Sequence, residues 1–435
     1  MNKAILRLAI PNIITNITIP LLGMVDLGLM GHMGSVKYVG AIALGGMIFN
    51  FLFWGFGFLR MGTSGFTAQA YGHRDLGEAS NVLVRALITA LAGGLILILL
   101  QWPVAKAAFS IVHSSDELEN LAHQYFNIRI YAAPATLCIY VFTGWFIGMQ
   151  NARLPMMLAV SVNVLNIVFS LLFIMVFNLR SEGIAWANVA SQYAGLALGL
   201  FFVNLYVPKL RKYFNLQQVF NRKAFVNFLS VNKDIFIRTL CLIFTLSFFT
   251  TKSANSSDTV LAVNTLLFQF FYFFSYFVDG FAYAAEALTG RYIGSGNRTM
   301  LVSVVKSLFV WGVGIALVFT VVYLAAGQFI LRLLTNNADT LASAKPYLFW
   351  VVLVPLITFA AFIWDGIYVG ATASKAMRKS MVIITTVIFI PAYYLLNPIM
   401  GNNGLWLAMM LFMGARGIFL WVMSKKAVFG KVRIL

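Results

Sequence analysis

The stretch Tyr140-Val-Phe-Thr-Gly-Trp-Phe-Ile-Gly-Met149 returns 222 residues later as Phe362-Ile-Trp-Asp-Gly-Ile-Tyr-Val-Gly-Ala371. Thr67-Ala-Gln-Ala-Tyr-Gly72 matches Thr289-Gly-Arg-Tyr-Ile-Gly294 at the same spacing, and Gly183-Ile-Ala-Trp-Ala-Asn188 matches Gly404-Leu-Trp-Leu-Ala-Met409 with a shift of one. One such match in apolar sequence is weak. Three in the same order and nearly one register mark the chain as two copies of one unit.

Composition says which kind of unit. Of 435 residues, 61% are hydrophobic and only 10% charged, with a mean hydropathy of +0.86; an ordinary soluble domain carries roughly 25% charge. A helix needs about 20 apolar residues to cross about 30 Å of hydrocarbon. Twelve segments qualify: 8–31, 38–60, 83–107, 121–147, 155–178, 183–206, 230–251, 258–283, 300–324, 341–369, 378–398 and 404–424. The second and eighth keep a helical pattern for some turns beyond the membrane. The expected fold is therefore an all-α polytopic membrane protein of twelve transmembrane helices in two six-helix bundles. Six is even, so the bundles share an orientation and are related by a pseudo-two-fold axis along the membrane normal, an architecture of transporters. The expected division is 1–206 for the N-terminal bundle, 207–229 for a basic linker and 230–435 for the C-terminal bundle. The first apolar segment is too long for the core of a cleavable signal peptide and is expected to stay as the first span.

A net charge of +18 would point to nucleic acid in a soluble chain, but here the basic residues lie in short loops and set orientation instead. One side holds about 22 Lys and Arg and the other about 6, which places both termini in the cytoplasm. The expected location is the inner (plasma) membrane, with the lipid bilayer as partner and no nucleic acid. Lys209, Arg211, Lys212, Arg222 and Lys223 of the linker suit anionic headgroups.

Enzyme classes find little support. There is no Gly-Lys-Ser/Thr phosphate loop, so a built-in ATPase is excluded. His32, His73, His113 and His123 are scattered and form no metal cluster, and Cys138 and Cys241 make a structural disulfide unexpected. No cofactor or metal is expected.

The acidic residues narrow the site. Asp75, Glu78, Asp116, Glu117, Glu119, Glu182, Asp234, Asp258 and Asp339 fall in loops or at helix ends and read as solvated charges. Four lie in or near spans: Asp26, Asp279, Glu286 and Asp365. A charge near the bilayer centre costs from roughly 2.5 to more than 10 kcal/mol, so such residues face a cavity or a partner. Asp26 stands alone in the first span, on a helix that Pro11 and Pro20 can bend. Burial favours the neutral form of a carboxyl, so Asp26 can take a proton on one side and release it on the other. Asn163, Asn166 and Ser170 share one helix, the last two on one face at i, i+4, and Asn188 is a further buried amide candidate. Such amides serve either as interhelical glue or as a site. Asp365 has Thr143 as its repeat mate, so the halves differ chemically. With Asp279 and Glu286 it reads as a second site or gate, against the alternative of interfacial charges. The aromatic run Phe268–Phe277 reads as packing, or as the lining of a chamber for lipophilic cations.

These residues resemble the multidrug and toxic compound extrusion (MATE) family of the MOP superfamily, its DinF-like branch in particular. The marks are Pro11, Val25-Asp26-Leu-Gly-Leu-Met-Gly31-His32-Met-Gly34, Gln69-Ala-Tyr-Gly72, the stretch from Gly144 to Pro155, Asn163-Val-Leu-Asn166-Ile167, and Trp364-Asp365-Gly366-Ile-Tyr-Val-Gly370-Ala371-Thr372. The resemblance spans nearly the whole chain. It implies a monomeric antiporter that exports organic, often lipophilic cationic compounds in exchange for H+ or Na+, by alternating access through a cleft between two bundles. It also implies that Asp26 is the main coupling residue, with Asn166, Ser170 and Asn188 at nearby family positions. Ser170 stands where related proteins commonly have Asp, and Asn188 where they often have Thr. Loss of that second carboxylate favours H+ over Na+. Two other transport readings stay open: a Na+-coupled drug antiporter, and a flippase for lipids or lipid-linked saccharides. The flippase would want several inward basic residues, and only Arg238 and Arg416 fall clearly within spans.

Overall fold

The computed structural model describes residues 1–31, 36–110, 116–206, 208, 212, 213 and 215–432. The side chains of Ile19, Leu22, Asp26, Leu27, Leu29, Met30, Val36, Lys37 and Asp116 lie outside that description. The described residues form helices joined by short turns, without a strand. The helices of the first half are α1 (Asn2–Gly31), α2 (Val36–Gly55), α3 (Phe58–Gly72), α4 (Leu76–Leu99), α5 (Gln101–Phe109), α6 (Asp116–Arg129), α7 (Ala133–Gly148), α8 (Arg153–Met175) and α9 (Ser181–Tyr206). A short α10 (Leu216–Val219) leads to α11 (Arg222–Ser256), α12 (Asp258–Gly294), α13 (Arg298–Leu334), α14 (Ala338–Ala344), α15 (Leu348–Gly370), α16 (Ser374–Ile383), α17 (Ile390–Met400) and α18 (Asn402–Ala427). Among the described residues, twelve segments are long and apolar enough to cross a membrane.

The third span differs from expectation. Residues 83–107 were expected as one helix, but α4 starts at Leu76 and ends at Leu99, with α5 following separately. The reason is a cap: the Asp75 carboxylate accepts from Glu78 N at 2.8 Å, so two acids that read as loop charges nucleate the helix. The second span does run on, to Gly72, but bends between α2 and α3. The eleventh contains a π-helical segment, Ile384–Phe389. Pro391, which has no N–H to donate, stands just beyond it.

The repeat holds residue by residue in three dimensions. A Cβ built on Gly144 of α7 would stand 2.2 Å from Arg60 O of α3, and one on Gly366 of α15 would stand 2.1 Å from Ala282 O of α12. One turn on, Gly148 meets Ser64 O at 2.8 Å and Gly370 meets Glu286 O at 2.3 Å. Each pair is a small-x-x-x-small stripe on which another helix rests its backbone, the usual adhesive between helices in lipid. The turns repeat as well. Arg74 and Gly296 both have positive φ (59° and 69°) and are followed by the helix caps Asp75 and Asn297. Gln150 and Thr372 are also paired in positive φ, and the carbonyls just before them, Met149 O and Ala371 O, accept from the Tyr206 hydroxyl and from Lys431 Nζ.

Backbone contacts group the chain into two compact units: 14–229, and 230–435 together with Met1–Ile13. The first half of α1 packs on α12, where Gly280 admits Ile13 and Ala9 O. The segment 215–229 belongs to the N-terminal unit and is anchored there. Arg85, only 2% exposed, donates to Gln218 O at 2.6 Å, to Val219 O at 2.9 Å and to Glu78 at 2.7 Å. The aromatic run on α12 packs inside the C-terminal unit, with Phe268 against Trp406, Phe270 against Tyr323 and Phe274 against Phe319.

Two outcomes check this packing. Gly366→Ala should destabilise the protein by about 1–3 kcal/mol through overpacking against backbone, while Gly314→Ala, with nothing within 4 Å of its Cβ, should be neutral or slightly stabilising; thermal unfolding of both variants reads the difference. Arg85→Met should release α10, and limited proteolysis should then cut the chain between α9 and α11 faster than in the unsubstituted protein.

Candidate functional site

In the N-terminal unit, α8 lies between α1 and α9 as a polar strip. Asn163 Nδ2 reaches Thr18 O of α1 at 3.4 Å. Asn166 Nδ2 donates to Ser191 Oγ of α9 at 3.3 Å, and Ser191 Oγ donates in turn to Asn188 O at 2.9 Å. Asn166, Ser170 and Ser191 are all at most 1% exposed and Asn188 is 8% exposed. So Asn166 is linked through Ser191 to the backbone carbonyl of Asn188, Asn163 separately reaches α1, and Ser170 lies a turn along α8 from Asn166. The structure adds Ser191, which sequence reasoning missed although it lies three residues after Asn188 on the same helix. Asp26 is carried by α1, about two turns beyond Thr18; its side chain is outside the described residues, so its place in this group is not among the observed contacts.

The strip leaves acceptors unused. Asn166 Oδ1 and Ser170 Oγ are buried with no hydrogen-bond partner among the described residues. A buried polar atom without a partner costs about 1–3 kcal/mol. The contrast is Asn264 in the C-terminal unit, whose amide bonds Ser253, Asn402 and Trp406 at 2.7–3.0 Å. Asn264 is glue between α11, α12 and α18; Asn166 and Ser170 keep acceptor capacity free.

Asp365 is not solitary. Arg238 on α11 and Arg416 on α18 both donate to its Oδ2, Arg416 at 2.5 Å, and all three side chains are at most 13% exposed. Asp279 is carried by α12, the helix on which Gly366 and Gly370 of α15 pack. Glu286 is buried two turns further along α12, where its carbonyl lies against Gly370. The pairing of Asp365 was within reach of the sequence, because an acid and two bases inside apolar spans seek each other.

Two readings need correction. Asp234, taken as a solvated charge, is 5% exposed and held by Arg378 at 2.8 Å and the Ser374 hydroxyl at 3.1 Å, because α11 begins well before the apolar segment and α16 packs on its early turns. Arg238 and Arg416 are not the only basic residues inside spans: Arg129 ends α6, bonds the Tyr125 hydroxyl at 2.8 Å and sits 4.9 Å from the centre of the Phe49 ring. Of the histidines, His123 stacks on Phe109 beside a cavity of about 740 Å³ between α5 and α6, which none of the expected site residues line; His32 and His113 lie outside the described residues.

Comparison with known proteins agrees with this architecture. The MatE family profile matches residues 11–172 and 235–395, one match in each half. DNA damage-inducible protein F of Escherichia coli is 37% identical over 420 residues, covering 96% of this chain and 91% of that protein. Multidrug export protein MepA of Staphylococcus aureus is 20% identical over 92% of this chain and 88% of its own length. Among solved structures, the Vibrio cholerae MATE transporter VcmN in its bent form superposes with a TM-score of 0.85 at 17% identity, covering 99% of this chain and 97% of that one. The chain therefore belongs to the MatE family, whose members are membrane transporters rather than enzymes.

Proposed function

We propose that this transporter is a proton-coupled antiporter of the inner membrane, with both termini cytoplasmic, that exports organic, often lipophilic cationic compounds while its two bundles rock in alternating access. Asp26 is its protonation switch. The observation that carries this reading is the strip on α8 with free acceptors at Asn166 and Ser170, joined through Asn163 to the helix that bears Asp26. A carboxyl in an apolar span needs polar neighbours that tolerate both its forms. Amides and hydroxyls do so, since each can donate or accept.

Support for H+ over Na+ comes from the same atoms. Hard cations are held by several oxygens, commonly with more than one carboxylate. The strip supplies two free oxygens and, among the described residues, Ser170 stands where a second acid would strengthen such a site. The substrate class rests on kinship with proteins named for multidrug export. The orientation rests on the asymmetry of Lys and Arg between the two sets of loops.

In proteoliposomes, a pH gradient alone should drive efflux of a fluorescent lipophilic cation and a Na+ gradient alone should not; a response to Na+ only would overturn the coupling assignment. Asp26→Asn should reduce the pH-driven flux to that of empty liposomes while the protein still elutes as a folded species. Retention of full coupled flux would remove Asp26 from the role. Ser170→Ala removes a buried hydroxyl that has no bond to lose, so it should leave the protein as stable or more stable, by up to about 1–3 kcal/mol, yet alter the pH dependence of flux; Asn264→Ala should cost about 1–3 kcal/mol and leave that pH dependence in place.

A further inference from the structure

The C-terminal unit sets two guanidinium groups against one carboxylate oxygen. Arg238 Nη2 and Arg416 Nη2 both donate to Asp365 Oδ2, and Arg416 Nη1 has only a contact to Met413 Sδ at 3.0 Å. Two arginines present about ten N–H donors, so most have no protein acceptor among the described residues. Both Nε atoms are buried and unpartnered there. Arginine and a carboxylate frequently pair through two parallel bonds, one to each oxygen. Here one oxygen takes both arginines. Asp279 is a second acid near Arg416, so the unpartnered Nε atoms of both arginines, not a surplus of charge, mark the cluster.

The repeat shows that the framework does not require these charges. Asn16 stands 222 residues before Arg238, Thr143 stands 222 before Asp365, and Gly195 is the counterpart of Arg416 at the spacing of the Gly183 and Gly404 match. The N-terminal unit makes the same glycine-on-carbonyl contact between α7 and α3 with uncharged residues at all three places. Burying two arginines is costly, and at these three places only the C-terminal half does so. The surroundings are apolar: the Phe412 ring lies 5.7 Å from the Arg416 guanidinium, beside Met413. The Asp365 side chain is 13% exposed, against 7% for Arg238 and 2% for Arg416, so the carboxylate is the most accessible member of the cluster.

We propose that Arg238 and Arg416 form a subsite for the carboxylate of an amphiphilic organic anion, with Asp365 as the internal counter-ion that the ligand competes with. The range of compounds carried then extends to organic anions and zwitterions. That use in transport rests on the export reading above; the binding itself requires no ion gradient and is measured without one.

The test uses the purified full chain in detergent and isothermal titration with naphthylacetate and its uncharged amide. The acid should bind at least about tenfold tighter than the amide, the loss expected for one charge-assisted hydrogen bond. Arg238→Gln and Arg416→Gln should each abolish that preference, and Asp365→Asn should strengthen it by removing the competitor. If either arginine variant fails to fold, the charge-conserving pair Arg238→Gln with Asp365→Asn supplies the measurement, and it should lack the strengthening seen with Asp365→Asn alone. Equal binding of acid and amide, or weaker acid binding in Asp365→Asn, would overturn the subsite. Competition by chloride or phosphate at the concentration of the acid would assign the arginines to inorganic anions and overturn the organic ligand. Failure of the gradient experiments with Asp26→Asn would leave this preference standing, so the two readings fail separately.

Discussion

Two helices can approach until backbone touches backbone only where neither carries a Cβ in the gap, and this chain does so twice in the same way. Gly144 and Gly148 admit α3, and Gly366 and Gly370 admit α12. In lipid the hydrophobic effect gives no reason for one apolar helix to prefer another helix over acyl chains, so close van der Waals contact has to do that work. The α3–α7 and α12–α15 pairs are accordingly among the most extensive helix contacts in their units. The turns that follow repeat as well, with paired positive φ values and matching caps at Asp75 and Asn297.

On that duplicated frame the chemistry is not duplicated. The N-terminal unit carries uncharged amides and hydroxyls around α8, with acceptor capacity left at Asn166 and Ser170. The C-terminal unit carries the Arg238, Asp365 and Arg416 cluster and a fully bonded Asn264 network. A frame that tolerates both kinds of filling is one whose stability comes from helix packing, so polar positions are left to vary with function.

How much of this was legible in the sequence depends on the range of the interaction concerned. The repeat, the twelve spans and the isolation of Asp26 are local or periodic properties, and hydropathy with glycine spacing shows them directly. The start of α4 at Leu76 was missed because a capping carboxylate was read as a loop charge, although Asp75 and Glu78 three residues on form an N-terminal signal. Asp234 was missed for a different reason. Its partner Arg378 is 144 residues away, and no pattern around either residue reports that α16 folds back onto the early turns of α11. The same holds for Asn166 with Ser191 and for Arg85 with the carbonyls of 218 and 219.

The sequence by itself determined that the chain is a duplicated twelve-span membrane protein, because burial of apolar helix in hydrocarbon depends on length and composition alone. It also determined which few ionisable residues must have a purpose, since each is costly in a span. Only the tertiary structure decided which polar groups meet. It separated Asn264, whose hydrogen bonds are complete, from Asn166 and Ser170, whose are not, and it set two arginines on one aspartate oxygen. Those outcomes turn on helix rotation and register, which follow from the glycine contacts between helices distant in sequence and from no single segment.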